Sequence, residues 1–165
     1  MSTLYVDNLQ PNLGSRVMAA GHVVQVVSNQ STTDPVWSSS GGDSTFSNVL
    51  SASITPTSTS SKIKITTCAV YYCTNNDSSV NHRFRLVRDG SPLSDYNGSQ
   101  DGGTSQYLQY RSSAISNHIP VPFNFTWMNS PNTTSATTYT LQALAATSSM
   151  QFYGGMFIFL EEIAQ

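Results

Sequence analysis

The stretch from Gln151 to Leu160 constrains this chain more than any other. Met156, Phe157, Ile158, Phe159 and Leu160 are five consecutive apolar residues, closed by Glu161 and Glu162. In a strand, successive side chains point to opposite faces, so such a run needs cover on both. A sheet with one wet face would alternate apolar and polar residues instead. A buried helix segment is the competing reading of a short apolar run. The Gly154-Gly155 break and the three Phe residues of the stretch favour a strand. One face of that strand can belong to its own domain's core. The simplest cover for the other is a copy of the same strand in a symmetry-related subunit.

The remainder of the chain is poor in charge and rich in small polar groups. Ser, Thr and Asn number 27, 18 and 12 of the 165 residues, and charged residues make up only 10%. Disordered chains combine high net charge with few aromatics. This one has a net charge of −2, with eight Tyr, seven Phe and two Trp. The composition fits one ordered β-domain with a hydroxyl and amide surface, of the kind found in proteins that live inside a larger assembly. The seven basic residues are scattered, and Arg83 and Arg85 alternate as they would on a solvated strand face. That pattern argues against nucleic acid as a partner.

No apolar run is long enough for a membrane-spanning helix, so no membrane insertion is expected. The first residues lack the basic and apolar regions of a signal peptide, which predicts folding in a cytoplasm. Cys68 and Cys73, five apart on one predicted strand, point to opposite faces and read as free thiols.

Residues 1–21 read as an extended arm with too few apolar residues for a core, and residues 22–165 as the folded domain. Residues 22–27 form the first strong strand, apolar on both faces like the last one, and the two are expected side by side. Ser28 to Asp43 reads as a loop in which Trp37 stands alone. Phe46 to Thr55 is a weaker strand ended by Pro56. Lys62 to Tyr72 alternates with Ile63, Ile65, Thr67, Ala69 and Tyr71 on one face, a half-buried antiparallel strand. Asn81 to Arg88 is followed by Asp89-Gly90, a hairpin signal.

Further strands are expected at 106–112, at 121–127 with Phe123, Phe125 and Trp127 facing the core, and at 137–146. Pro122 limits the second of these to a sheet edge or a strand end. In the third, Tyr139, Leu141, Ala143 and Ala145 point inward, while Leu144 falls on the polar side and implies cover there too. Nine or so turn-punctuated strands without a helix or a fixed repeat predict an all-β antiparallel sandwich, specifically a jelly roll.

Several segments resemble one family. Leu4-Tyr-Val-Asp-Asn-Leu-Gln-Pro-Asn-Leu-Gly-Ser-Arg-Val with Gly21-His-Val-Val-Gln-Val-Val27 is similar to the start of tail-fibre-like virion proteins of marine tailed phages, notably cyanophages. Thr59-Ser-Ser-Lys-Ile-Lys-Ile65, Arg85-Leu-Val-Arg-Asp-Gly-Ser-Pro-Leu93 and the closing Gly-Gly-Met-Phe-Ile-Phe-Leu-Glu-Glu-Ile163 resemble later segments of the same proteins. The resemblance implies a homotrimeric jelly roll like tumour necrosis factor and complement globular heads, with inner sheets facing the threefold axis. It also implies a structural role in a virion assembled in a bacterial cytoplasm. The chain carries neither a heptad coiled coil nor a β-spiral, so a capsid decoration protein, a head-fibre knob or a partner-borne fibre tip are the forms expected.

On this reading Val23, Val24, Val26, Val27, Met156, Phe157, Ile158 and Phe159 form the trimer interface. Leu4, Tyr5, Val6 and Leu9 of the arm dock on other virion proteins of the capsid or tail. The alternative is a receptor-binding tip for a host-surface glycan, read by loops 31–44 and 94–105 through Trp37, Tyr96, Asn97 and Asp101. The competing explanation for Trp37 is packing under its own loop. No Gly-x-Ser-x-Gly elbow is present, no enzyme activity is expected, and no cofactor is implied. Asp95 to Gly103 hints at a calcium loop, but its glycine falls at the fourth position instead of the sixth and no Glu closes it.

Overall fold

The computed structural model describes residues 20–34, 36–73, 80–93, 108–112 and 119–165. The arm residues Leu4, Tyr5, Val6 and Leu9, and the loop residues Tyr96, Asn97 and Asp101, lie outside them. The described residues contain eleven strands and no helix. In chain order these are β1 (Val23–Ser31), β2 (Trp37–Ser39), β3 (Ser47–Ile54), β4 (Lys62–Cys73), β5 (Val80–Arg88) and β6 (Ser91–Pro92). They continue as β7 (Leu108–Ser112), β8 (Ile119–Asn129), β9 (Thr137–Thr147), β10 (Met150–Phe152) and β11 (Met156–Ile163).

All pairings are antiparallel and build two sheets. The six-stranded sheet runs β1-β11-β4-β10-β2, with β8 also paired to β4. The five-stranded sheet runs β3-β9-β5-β6, with β7 paired to β5. The expected neighbours β1 and β11 do pair, Val27 opposite Leu160 and Gln30 opposite Phe157.

Alternation explains which side chains meet. On β4, Ile63, Ile65, Thr67, Ala69, Tyr71 and Cys73 are all buried, while none of the intervening residues is. β9 supplies Tyr139, Leu141, Ala143 and Ala145 from the other sheet. Leu144 is buried as well, so the residue that broke the sequence pattern is covered after all. Between the sheets, the Phe84 ring of β5 lies 5.2 Å from Tyr71 and 6.0 Å from Phe152, centroid to centroid. Tilted and edge-on aromatic contacts of this kind join the sheets through their largest side chains.

Among the described residues β8 is joined in register only to β4, an edge position that tolerates Pro120 and Pro122. Asp89 and Gly90 both have positive φ, 49° and 83°, and turn β5 into β6 as a tight hairpin.

One buried acid fastens the end of β11. Glu162 is fully buried, and one carboxylate oxygen accepts the Thr57 N–H and the Thr57 hydroxyl, both at 2.8 Å. The other accepts the Gln25 amide at 2.6 Å. Burial alone would raise its pKa, but hydrogen bonds from Ser61, Gln25 and Thr57 outweigh it and hold the carboxyl below its ordinary value. Gln25 also donates to the Thr55 carbonyl at 2.7 Å, and Asn29 to that of Ser51 at 2.8 Å. Edge strands β1 and β3 are therefore laced together by side-chain amides where no ladder joins them.

A carboxyl held below its ordinary pKa stabilises the fold above the unfolded value, and that contribution disappears as pH falls through the folded value. Glu162→Gln removes the charge and turns an amide donor toward donors that need an acceptor. The expected result in urea melts at pH 7 is a loss of about 1–3 kcal/mol, with the difference from wild type shrinking below the carboxylate range.

Candidate functional site

A buried Cys–His pair is the first arrangement with chemical potential. Cys73 at the end of β4 and His82 on β5 are both fully buried, with the thiol sulfur 3.5 Å from His82 Nδ1. Burial pushes the Cys73 thiol up to about 11. Burial likewise drives His82 down to about 4, against the smaller upward pull of the Ser148 and Thr147 carbonyls. A nucleophilic cysteine needs the opposite setting, a lowered pKa and access to substrate. Cys73 and His82 are core residues. Cys68, as expected from its spacing, stands on the other face of β4, half-buried and free.

The aromatic expected in an open loop is also committed to packing. Trp37 lies in the short strand β2, paired with β10 as Phe152 faces it, and its ring sits 6.2 Å from that of Phe152. It is half-buried against the core. The loop that follows is tied down: Asp43 donates its N–H to the Ala145 carbonyl at 2.9 Å and accepts the Ala145 N–H at 3.2 Å. Gly41 is required there. Its φ is +89°, and a Cβ would come within 2.8 Å of the Ser148 carbonyl oxygen.

The outer face of the six-stranded sheet is different. Its β11 residues are Phe157, Phe159, Glu161 and Ile163, all half-buried, with the two Phe rings stacked at 5.8 Å. Across the ladder Phe157 faces Cys68, Phe159 faces Thr66 and Glu161 faces Lys64. On β8, Met128 stands opposite Lys64 and Pro122 opposite Val70. On β1, Val26 stands opposite Glu161 and Val23 opposite Ile163. Tyr72 and Tyr153 pack edge to face at 4.6 Å near the β10 end.

Four large apolar side chains stand exposed among the described residues: Val23 at 44%, Val26 at 58%, Val70 at 42% and Met128 at 43%. All four stand on this one face. Scattered exposed apolar residues are normal, but four that share one sheet face make that face the candidate surface for contacts. Lys64 and Glu161 neutralise each other there in a 2.6 Å ion pair, and the exposed Lys62 stands on the same face opposite Ile163.

Of the residues expected in a subunit interface, Val23, Val26, Phe157 and Phe159 stand on this face. Met156 and Ile158 do not: each is fully buried in the chain's own core. Val27 points inward beside them and packs against the same core. These three are corrections to the expected set, because the pleat turns every second side chain inward. Val24 sits where the β1–β11 register shifts, lining a cleft of about 420 Å³ with Thr57, Ser58, Ser60, Ser61 and the chain end. Val70 and Met128 were missed. A signal for Val70 existed, since the polar side of β4 turns apolar after Cys68.

No known protein family matches the chain, and no curated protein sequence matches it. Solved structures from infectious bursal disease virus do. The VP2 subviral particle shares 12% identity at a TM-score of 0.43, covering 98% of this chain and 42% of that one. The Gt strain structure gives 12% and 0.43 over 98% and 43%, and the Gx strain structure 10% and 0.39 over 97% and 42%. This chain thus spans about two-fifths of those chains. Identities this low and TM-scores below 0.5 leave function to be read from the chain's own surface.

The buried histidine has a pH consequence. Above its ordinary 6.5, folded and unfolded chains are both neutral at His82. Below 6.5 the unfolded chain binds a proton that the folded chain refuses until about pH 4. Stability should therefore fall between pH 6.5 and 4, by up to about 3 kcal/mol. Urea midpoints of His82→Phe, measured across that window, are expected to lose most of this slope.

Proposed function

We propose that this chain is a non-enzymatic structural protein of a virion, a homotrimeric jelly roll whose outer six-stranded face is the subunit interface. The observation that supports it is the gathering of Val23, Val26, Val70 and Met128 with half-buried Phe157 and Phe159 on that face. An apolar sheet face left to water costs solvation free energy that burial against another subunit recovers, at roughly 25 cal/mol per Å². Self-association is the mode of action, and the interface comprises the outward residues of β1, β11, β4 and β8.

The virion setting comes from the sequence resemblance to phage virion proteins, with the arm, residues 1–21, docking on other virion proteins of the capsid or tail. A glycan-reading tip is the weaker alternative. It loses Trp37, whose ring packs on Phe152, and keeps only Tyr96, Asn97 and Asp101 in the loop 94–105.

In size-exclusion chromatography with light scattering, the purified protein is expected at three times the mass of one chain. Phe157→Asp would set like charges into an apolar seam, and it is expected to give monomers or aggregates. An intact trimer from that variant would remove this face from the interface.

A further inference from the structure

One transverse row of the outer face carries more information than its apolarity. The in-register partners Val26, Glu161, Lys64 and Met128 cross four strands in the order β1, β11, β4, β8. Read across the sheet, the row is apolar, acidic, basic, apolar. Its two outer members are among the most exposed apolar residues, at 58% and 43%. Its two inner members form the Lys64–Glu161 ion pair, with side chains still 40% and 25% exposed. The β1/β11 half of the row is thus the complement, apolar for apolar and acid for base, of the β4/β8 half.

We propose that a second copy of this chain docks on this face with unlike halves together, Val26 against Met128 and Glu161 against Lys64 of the neighbour. The inference rests on the self-association reading above and adds the pairing within it. Charge decides between the possible arrangements. Placing like halves together would set Glu161 against Glu161 and Lys64 against Lys64 as water is excluded, and like charges juxtaposed across an interface are strongly disfavoured. Unlike halves give each carboxylate a second ammonium partner and each ammonium a second carboxylate. They also bury the most exposed apolar side chain, Val26, against another apolar one. A strongly charged partner such as nucleic acid is poorly matched, because Lys64 is already paired with Glu161 and Lys62 of the adjacent row is a single further cation. A row that complements itself when its ends are exchanged suits closed homo-oligomers.

The experiment uses the full chain and two surface variants, Val26→Asp and Met128→Lys, with native mass spectrometry as readout and circular dichroism to verify folding. Each variant alone is expected to shift the assembled wild-type mass toward monomer. An equimolar mixture is expected to recover assembly, with both variants in one complex, because the introduced carboxylate of one then meets the introduced ammonium of the other. If wild type assembles but Met128→Lys assembles equally well, or if the mixture stays as monomeric as its parts, the unlike-half pairing is overturned and self-association stands. A monomeric wild type would overturn both. If either variant misfolds, Glu161→Lys and Lys64→Glu replace them: each alone is expected to weaken assembly and their mixture to restore it. Failure of that mixture to restore it overturns the pairing equally.

Discussion

β11 lies between β1 and β4 in the middle of the six-stranded sheet, and most of the architecture follows from that placement. Hydrogen-bonded on both edges, it cannot tilt or slip without breaking two ladders at once. A one-residue slip would exchange its faces. Its inward residues Met156, Ile158, Leu160 and Glu162 have no exposed surface, so the register is fixed by burial. The same register leaves Phe157 and Phe159 pointing away from the core, flanked across the two ladders by Gln30 and Cys68 and by Ser28 and Thr66. The outward Phe157 and Phe159 are therefore a consequence of a strand with a five-residue apolar run occupying a central position.

With only 10% charged residues, the chain relies on amides and hydroxyls where others use ion pairs. Gln25 and Asn29 lace β1 to β3, Glu162 gathers the turn before β4, and Gln142 links Arg85 to Asn48 across the second sheet at 2.7 Å on each side. Such bonds each contribute modestly when made, yet leaving a buried partner unsatisfied is costly. They also shield edges that would otherwise invite foreign strands.

Much of this was legible in the sequence, for identifiable reasons. β4 alternates strictly, and β9 does so apart from Thr140 and Leu144, because one face of each meets the core, so their inward residues could be assigned one by one. Asp89-Gly90 announced its hairpin because few other residue pairs accept positive φ twice in a row. The adjacency of β1 and β11 followed from their shared two-sided apolarity. What stayed hidden were β2 and β10, three residues each, whose pairing is decided by distant contacts such as Trp37 on Phe152. Periodicity also could not tell which half of the run 156–160 faces the core. Met156 and Ile158 went to the interior and Phe157 and Phe159 outward, a choice made by the ladder with β4. The polar-to-apolar switch on β4 after Cys68 was visible, but only the neighbouring strands revealed that Val70, Met128 and Val26 share one surface.

Cys68 offers the most direct test of whether that surface is covered in solution. It sits on the outer face opposite Phe157, half-buried in the isolated chain, while Cys73 is sealed in the core and serves as an internal standard. The measurement is the rate of Cys68 alkylation by a bulky maleimide in native protein, compared with Val26→Asp under identical conditions. Slow labelling of Cys68 in wild type, rising on dilution, and fast labelling in the variant are expected, with Cys73 unreactive in both. Equal and rapid labelling of Cys68 in both proteins at every concentration would show an open face and contradict it.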